Sequence, residues 1–226
     1  KSRDLMSNIS NDDFSKDKFK FGTAKNINIE GINVLAQRLS YVGELGFELY
    51  IKTSESKIIY ELLLKKGKNY KITNCGMHAM DIMRMESGFL HWGHDISPEE
   101  NQYEAGLNFA VSFKKNVNFI GKDALLKIKD QKQTKRLIAL SVKDSKPGNP
   151  LLLHFEPIYL ENKIIGYTTS GNYSFNFNKN LSFGYIDAEF SNEELLNKNL
   201  YIEVGKTKYS ALFESKPLKN KSVRFT

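Results

Sequence analysis

Beyond residue 131 the chain changes texture, and that change limits its fold more than any other feature. RLIALSV, PIYLENKIIGYTTS, LSFGYID, NLYIEV and YSALF follow one another as short β-branched and aromatic runs, separated by Pro, Gly, Asn and Asp. Strands this short cannot bury their apolar faces singly, so the series predicts a small barrel or a sandwich. ENK at 161–163 predicts a hairpin turn between PIYL and IIGY. Before residue 131 helical and strand patterns mix. The chain therefore reads as α+β, with one domain at 1–131 and a β-rich domain at 132–226.

In the first part, residues 1–9 read as the remains of a helix with Leu5, Met6 and Ile9 on its apolar side. Ser54 is expected to cap a helix over 55–66, where Ile58, Ile59, Leu62 and Leu63 recur at helical spacing. Asn74 is expected to cap a second helix ending near Gly88, with Met77, Met80 and Met83 spaced by three. A mixed loop follows, GFLHWGHDISPEENQYEAGL, and Gly121 precedes a short helix, KDALLKIKDQK.

SYVGELGFELYI at 40–51 links two apolar arms, read as strands at 32–40 and 46–51. Gly43 and Gly46 permit the positive φ angles that a tight reversal often needs. A turn centred between Glu44 and Leu45 sets Tyr41 opposite Glu48, side chains about 5 Å apart on one face. Phe47, Leu49 and Ile51 then point to the other face and into a core. A ring beside a carboxylate suits a flat heterocycle with adjacent N–H donors. On geometry alone, the stretch is read first as a half-exposed strand pair with no ligand.

Composition removes several function classes. No apolar run approaches the roughly 20 residues of a membrane-spanning helix, and no membrane partner is expected. Cys75 is the single cysteine, which rules out an internal disulfide and makes a cytoplasmic setting the default. With no activating base nearby in sequence, Cys75 is expected as a buried structural thiol. The formal net charge of +7 favours anionic partners. The basic residues are scattered, so a solvated surface is expected and nucleic acid is not. The first residues, KSRDLMSNISNDDF, hold no signal-peptide core and start without Met, which leaves room for a segment upstream. His91, His94 and Asp95 crowd around Trp92, but no third strong ligand motif accompanies them and no metal is expected. Thr168, Thr169, Ser170 and Gly171 read as a hydroxyl-rich barrel loop. Neither a P-loop nor Gly-x-Gly-x-x-Gly is present.

KSRDLMSNIS, FKFGTA, SYVGELGFELY, AMDIMRMESGFLHWGHDISPEE, EAGLNFAV and FIGKDAL, in this order, resemble the glycine-cleavage T-protein (aminomethyltransferase) superfamily. GYTTSGNYSF and LSFGYID resemble that family's C-terminal barrel motif. HWGHDISPEENQYEAGL is most similar to the folate-binding domains of sarcosine and dimethylglycine dehydrogenases. The resemblance covers essentially the whole chain. It implies a partial folate-binding domain followed by a small β-barrel, with tetrahydrofolate as cofactor and a small amine as donor.

The resemblance also implies site residues. The family's tyrosine and the glutamate seven residues later, which grip the pterin, match Tyr41 and Glu48. The arginine of R-x-E-x-G matches Arg84, expected to donate to folate oxygens or to balance local carboxylates. Trp92 matches an often aromatic position lining the same pocket. The family's catalytic aspartate falls upstream of residue 1, so no catalytic residue is assigned. The chain is then expected to be part of a longer or two-chain protein, with an upstream chain or a homodimer covering the truncated face. The implied reaction moves a one-carbon unit from an aminomethyl or N-methyl donor of glycine, sarcosine or dimethylglycine type to tetrahydrofolate. Two alternatives stand beside it: a folate-dependent demethylase of a sulfonium compound, and a non-catalytic remnant that serves as an interaction module. The RNA-modifying branch of the fold carries a Lys-Gly-Cys-aromatic-x-Gly-Gln motif, which TNCGMHA around Cys75 does not match.

Overall fold

The computed structural model describes residues 1–219, and the end of the expected barrel domain, 220–226, lies outside the described residues. These residues form two compact units. The first spans Lys1–Met80 with Lys219, and the second spans Asp81–Leu218. The break falls inside a helix, after Met80. Residue 131, where the texture of the sequence changes, lies within the second unit.

The first unit holds helix α1 (Ser2–Ile9), strands β1 (Ala24–Ile29), β2 (Ile32–Gln37) and β3 (Glu48–Tyr50), and helix α2 (Thr53–Gly67). The strands form one antiparallel sheet in the order β1-β2-β3. Glu30 and Gly31 make the tight turn between β1 and β2, both with positive φ (46° and 89°), as a twist-matched two-residue hairpin loop needs. Leu5, Met6 and Ile9 of α1 enter the core as expected, against Ile27, Ile29, Val34 and Ile59. Phe47, Leu49 and Ile51 also pack on this core. Helix α2 begins one residue before Ser54, with Lys52 at its N-cap and no side-chain cap bond, so Ser54 does not cap it.

Helix α3 (Met77–Glu86) crosses from one unit to the other. Asn74 does not cap it. Its amide donates to Tyr60 Oη at 2.7 Å, while the Gly76 carbonyl receives the amides of Ala79 and Met80. Helix α3 buries Ile82, Arg84, Met85 and Glu86, and leaves Met77 exposed. In the second unit, Gly121 turns the chain with φ 86° into helix α4 (Lys122–Ile128).

The rest of the second unit is a closed barrel. Its strands are β4 (Lys135–Val142), β5 (Pro157–Leu160), β6 (Lys163–Ser174), β7 (Lys179–Asp187), β8 (Leu200–Val204) and β9 (Thr207–Glu214). They run β4-β7-β6-β5-β8-β9, and β9 pairs back onto β4. Closure leaves no free edge among them. It also decides between the two architectures that the short strands allow. Inward residues such as Ile138, Leu140, Ile158, Ile165 and Ile202 fill the interior. Asn162 and Glu161, the latter at φ 54°, turn β5 into β6 within the expected ENK segment.

Helix α5 (Asn192–Asn197) joins β7 to β8 and is held by a capping box. The Glu194 amide donates to Ser191 Oγ at 3.2 Å, and the Ser191 amide donates to Glu194 Oε2 at 3.0 Å. The Ser191 amide, then Lys198 at 3.0 Å, hold the Glu194 carboxyl down at about 2. A carboxyl depressed on folding stabilises the fold above its ordinary value near 4.5, and that contribution disappears as pH falls through about 2. Ser191→Ala is expected to cost about 1 kcal/mol through loss of the hydroxyl cap, while the Glu194 carboxyl stays depressed because the residue-191 amide and Lys198 remain, as NMR of the side-chain carboxyl would show.

Candidate functional site

Strand β3 has an alternating pattern. Glu48 and Tyr50 are exposed, while Leu49 between them packs inward. Opposite them on β2 stand Gln37, facing Glu48, and Leu35, facing Tyr50. Tyr50 Oη donates to Glu48 Oε2 at 2.9 Å and lies 3.3 Å from Gln37 Oε1. Its one proton serves the nearer, charged acceptor. That hydrogen bond, with the Glu48 charge behind it, pushes the Tyr50 hydroxyl up. Leu35 and Tyr50 are 38% and 53% exposed, so a directly paired aliphatic and aromatic patch lies open beside the carboxylate.

This constellation differs from the expected one in its ring. The ladder pairs Gln37 with Glu48, and residues 38–47 form a long loop in place of a tight turn. The reason lies at Arg38. Its amide donates to Thr23 O and its carbonyl receives the Gly22 amide, both at 2.9 Å, so the chain continues along the segment before β1. The Arg38 side chain is buried, and its Nη1 donates to Phe19 O at 2.8 Å. Tyr41 therefore sits half-buried in the loop and is not Glu48's cross-strand partner. That loop is fastened by Ser2 Oγ to Leu45 O at 2.7 Å and by Lys219, which pairs with Glu44 and donates to Val42 O at 3.3 Å. Gly43 takes a positive φ of 66°, and Gly46 does not. Tyr50, the ring that does flank Glu48, was legible from the same alternation: residues i and i+2 of a strand share a face.

In the second unit Arg84 is 1% exposed and all five of its N–H groups are engaged. Nε and Nη2 meet Asp81 Oδ1 at 2.9 and 2.8 Å. Nη1 donates to Phe89 O at 3.1 Å and pairs with Asp95, and Nη2 donates to Ser170 Oγ at 2.7 Å. Of the two roles expected for Arg84, it fills that of balancing local carboxylates. Donation to a folate oxygen has no N–H left to use. Asp95, 0% exposed, is equally saturated. It accepts from Arg84, from the His91 amide at 2.9 Å, and from Thr169 and Ser170 hydroxyls at 2.6 and 2.7 Å. Tyr185 Oη donates to the Asp95 carbonyl at 2.9 Å, and burial, then the neighbouring carboxylates, push that phenol up. Two residues on, Glu86 accepts from Ser174 Oγ at 2.6 Å and Asn176 Nδ2 at 2.9 Å. The RMESG motif is thus a buried clamp between α3 and β6.

Thr168, Thr169 and Ser170 lie within β6 and not in a loop as expected, and all three are buried. A register shift between Thr168 and Ser170 makes Thr169 an extra residue against β7. Such a bulge re-aims side chains. Consecutive Thr169 and Ser170 can therefore both reach Asp95. Trp92 stands 65% exposed at the tip of the turn that Asp95 closes. His91 and His94 flank it with ring centroids 4.5 Å apart. Cys75 is exposed, contrary to the buried thiol expected, because it precedes α3 in an irregular segment. Among the described residues no group of three His, Cys, Asp or Glu could hold a metal ion, and no helix is long and apolar enough to cross a membrane.

Residues 1–115 match the GCVT N-terminal domain family, and residues 135–218 match the glycine cleavage T-protein C-terminal barrel domain. The chain is 38% identical over 206 residues to the mitochondrial dimethylglycine dehydrogenase of Mus musculus, covering 87% of this chain and 23% of that protein. It is 37% identical over 172 residues to an aminomethyltransferase of Symbiobacterium thermophilum, covering 76% of this chain and 45% of that protein. The crystal structure of glycine cleavage system aminomethyltransferase T from Bartonella henselae shares the fold, with a TM-score of 0.80 at 20% identity over 97% of this chain and 57% of that one. The chain thus spans under half of each of these curated relatives.

Proposed function

Because the chain belongs to the glycine-cleavage T-protein family, we propose that it binds tetrahydrofolate and serves the transfer of a one-carbon unit to it from an aminomethyl or N-methyl donor of glycine, sarcosine or dimethylglycine type. The observation that carries this reading is the Glu48 carboxylate, exposed on the sheet face between the Gln37 amide and the Tyr50 ring. Tyr50 donates to one of its oxygens. The lone pairs that remain can accept two parallel N–H groups, such as a pterin's 2-amino group and ring N–H. The open Leu35–Tyr50 patch offers a flat ring an apolar surface. Tyr41, in the loop that leads to Glu48, keeps the pterin-contact role that the family assigns it.

Tetrahydrofolate supplies the nitrogen that takes up the one-carbon unit. The work of this chain is to hold the pterin in one orientation through Glu48, so that the reacting partners meet in productive geometry. Arg84 is left out of the ligand shell, since its donors are engaged. Trp92 is exposed on the second unit, and its aromatic role rests on the family resemblance alone. Titration of the purified chain with tetrahydrofolate tests the reading. Glu48→Ala removes two charge-assisted bonds and is expected to weaken binding by about 100-fold or more. Tyr50→Phe leaves the carboxylate in place and is expected to cost about fivefold. Equal affinity in Glu48→Ala and wild type would reject the pterin assignment.

A further inference from the structure

Two loops of the second unit are pinned to three consecutive residues of β6. Thr168 Oγ1 pairs with Glu156 and accepts the Glu156 amide at 2.9 Å, while Thr168 O receives the Phe155 amide at 2.7 Å. Glu156 also accepts from the Leu153 amide at 2.8 Å, which closes residues 153–156. The next two residues, Thr169 and Ser170, hold Asp95 and with it the turn from His91 to Ile96. The side chains set by these anchors come together. His91 and His94 have centroids 4.5 Å apart, His94 and His154 6.5 Å, and His154 and Phe155 5.0 Å. Three of the four histidines in the chain stand in this cluster, and His94 and His154 are exposed.

We propose that His91, His94 and His154 form a binding site for a carboxylate. An imidazole carries at least one N–H donor in every ionisation state and two when protonated. The 91–96 turn is braced by buried hydrogen bonds to Asp95 and the 153–156 loop by part-buried ones to Thr168, so little ordering is needed on binding. The acidic groups nearest in the chain do not compete. Asp95 is saturated by Arg84, two hydroxyls and an amide, and Glu156 is turned back to Thr168 and Leu153. Rings at this spacing give a carboxylate donors from more than one side. The identity of its bearer rests on the one-carbon reading, in which both an N-methylated amino acid and the glutamate tail of folate bring such a group.

Trp92 is the sole tryptophan and lies between His91 and His94 in the chain, so its fluorescence reports on this site. The intact chain is titrated with dimethylglycine, with a γ-linked glutamate oligomer, and with dimethylamine, which lacks the carboxylate. A saturable change from either carboxylate and none from dimethylamine is expected, and the carboxylate that gives it identifies the bearer. His154→Gln is expected to weaken the response about fivefold, and His94→Gln with His154→Gln to remove it. Thr169→Val with Ser170→Ala, which keeps the ion pair but frees the Trp92 turn, is expected to weaken binding while the circular dichroism spectrum is retained. No response to either carboxylate, an equal response to dimethylamine, or undiminished binding in the double histidine variant would overturn the proposal. Tetrahydrofolate binding is measured separately: carboxylate binding without it rejects the folate reading alone, and the reverse rejects this site alone.

Discussion

Asp95→Ala is expected to lower the melting transition of the second unit by on the order of 10 °C, followed through Trp92 fluorescence. Arg84 and Asp95 are 1% and 0% exposed at the side chain. Removing one member of a buried ion pair typically costs about 3–5 kcal/mol, and Arg84, though still paired with Asp81, loses its fully buried partner. The loss spreads, because the Thr169 and Ser170 hydroxyls and the His91 amide lose their shared acceptor at the same time. Asp95→Asn keeps the shape and some acceptors, and is expected to fall between alanine and wild type. A wild-type transition in Asp95→Ala would show that the network contributes nothing to holding α3 and the 91–96 turn on the barrel.

The same network shows what the sequence could and could not reveal. Period-2 runs and turn residues made the barrel strands legible, and helical spacing did the same for α1 and α2. Strand β1 was not read as a strand, although NINIEGINV carries an alternating pattern around a two-residue turn. Helix starts were misplaced at Ser54 and Asn74, because a good capping residue is common and its use depends on tertiary neighbours such as Tyr60. The hairpin register failed for a similar reason. Local turn chemistry favoured a tight reversal at Glu44–Leu45, but burial of Arg38 beneath Phe19 fixed the exit from β2. That contact joins residues far apart in the chain and leaves no periodic signal. Glu48 remained in the candidate site because its exposure follows from alternation alone, which the register does not alter for a residue on its own strand. The sharing of Asp95 by Thr169 and Ser170 depends on a bulge, a feature that adds one residue without marking the composition.

Gly166→Ala is expected to destabilise the barrel by more than about 3 kcal/mol, beyond the usual range for overpacking. A Cβ at Gly166 would lie 1.9 Å from Tyr185 O and 2.8 Å from Ile186 Cα. These are backbone atoms of β7, which cannot rotate away as a side-chain tip would. Gly166 is also paired on its other side, to Ile158 of β5, so β6 cannot shift to make room without breaking a second ladder. Gly184 has the reciprocal arrangement on β7, where an added Cβ would lie 2.6 Å from Tyr167 O. The two Gly-Tyr pairs, 166–167 and 184–185, thus let β6 and β7 approach with each tyrosine carbonyl over the opposing glycine. The longer contact at Gly184 predicts a smaller loss for Gly184→Ala than for Gly166→Ala. Gly76→Ala provides the control, since nothing lies within 4 Å of its Cβ position and its φ is not positive. Urea melts of the three variants should rank Gly166, Gly184, Gly76 in decreasing damage. A Gly166→Ala protein with the wild-type midpoint would mean that β6 and β7 are held less closely than this packing requires.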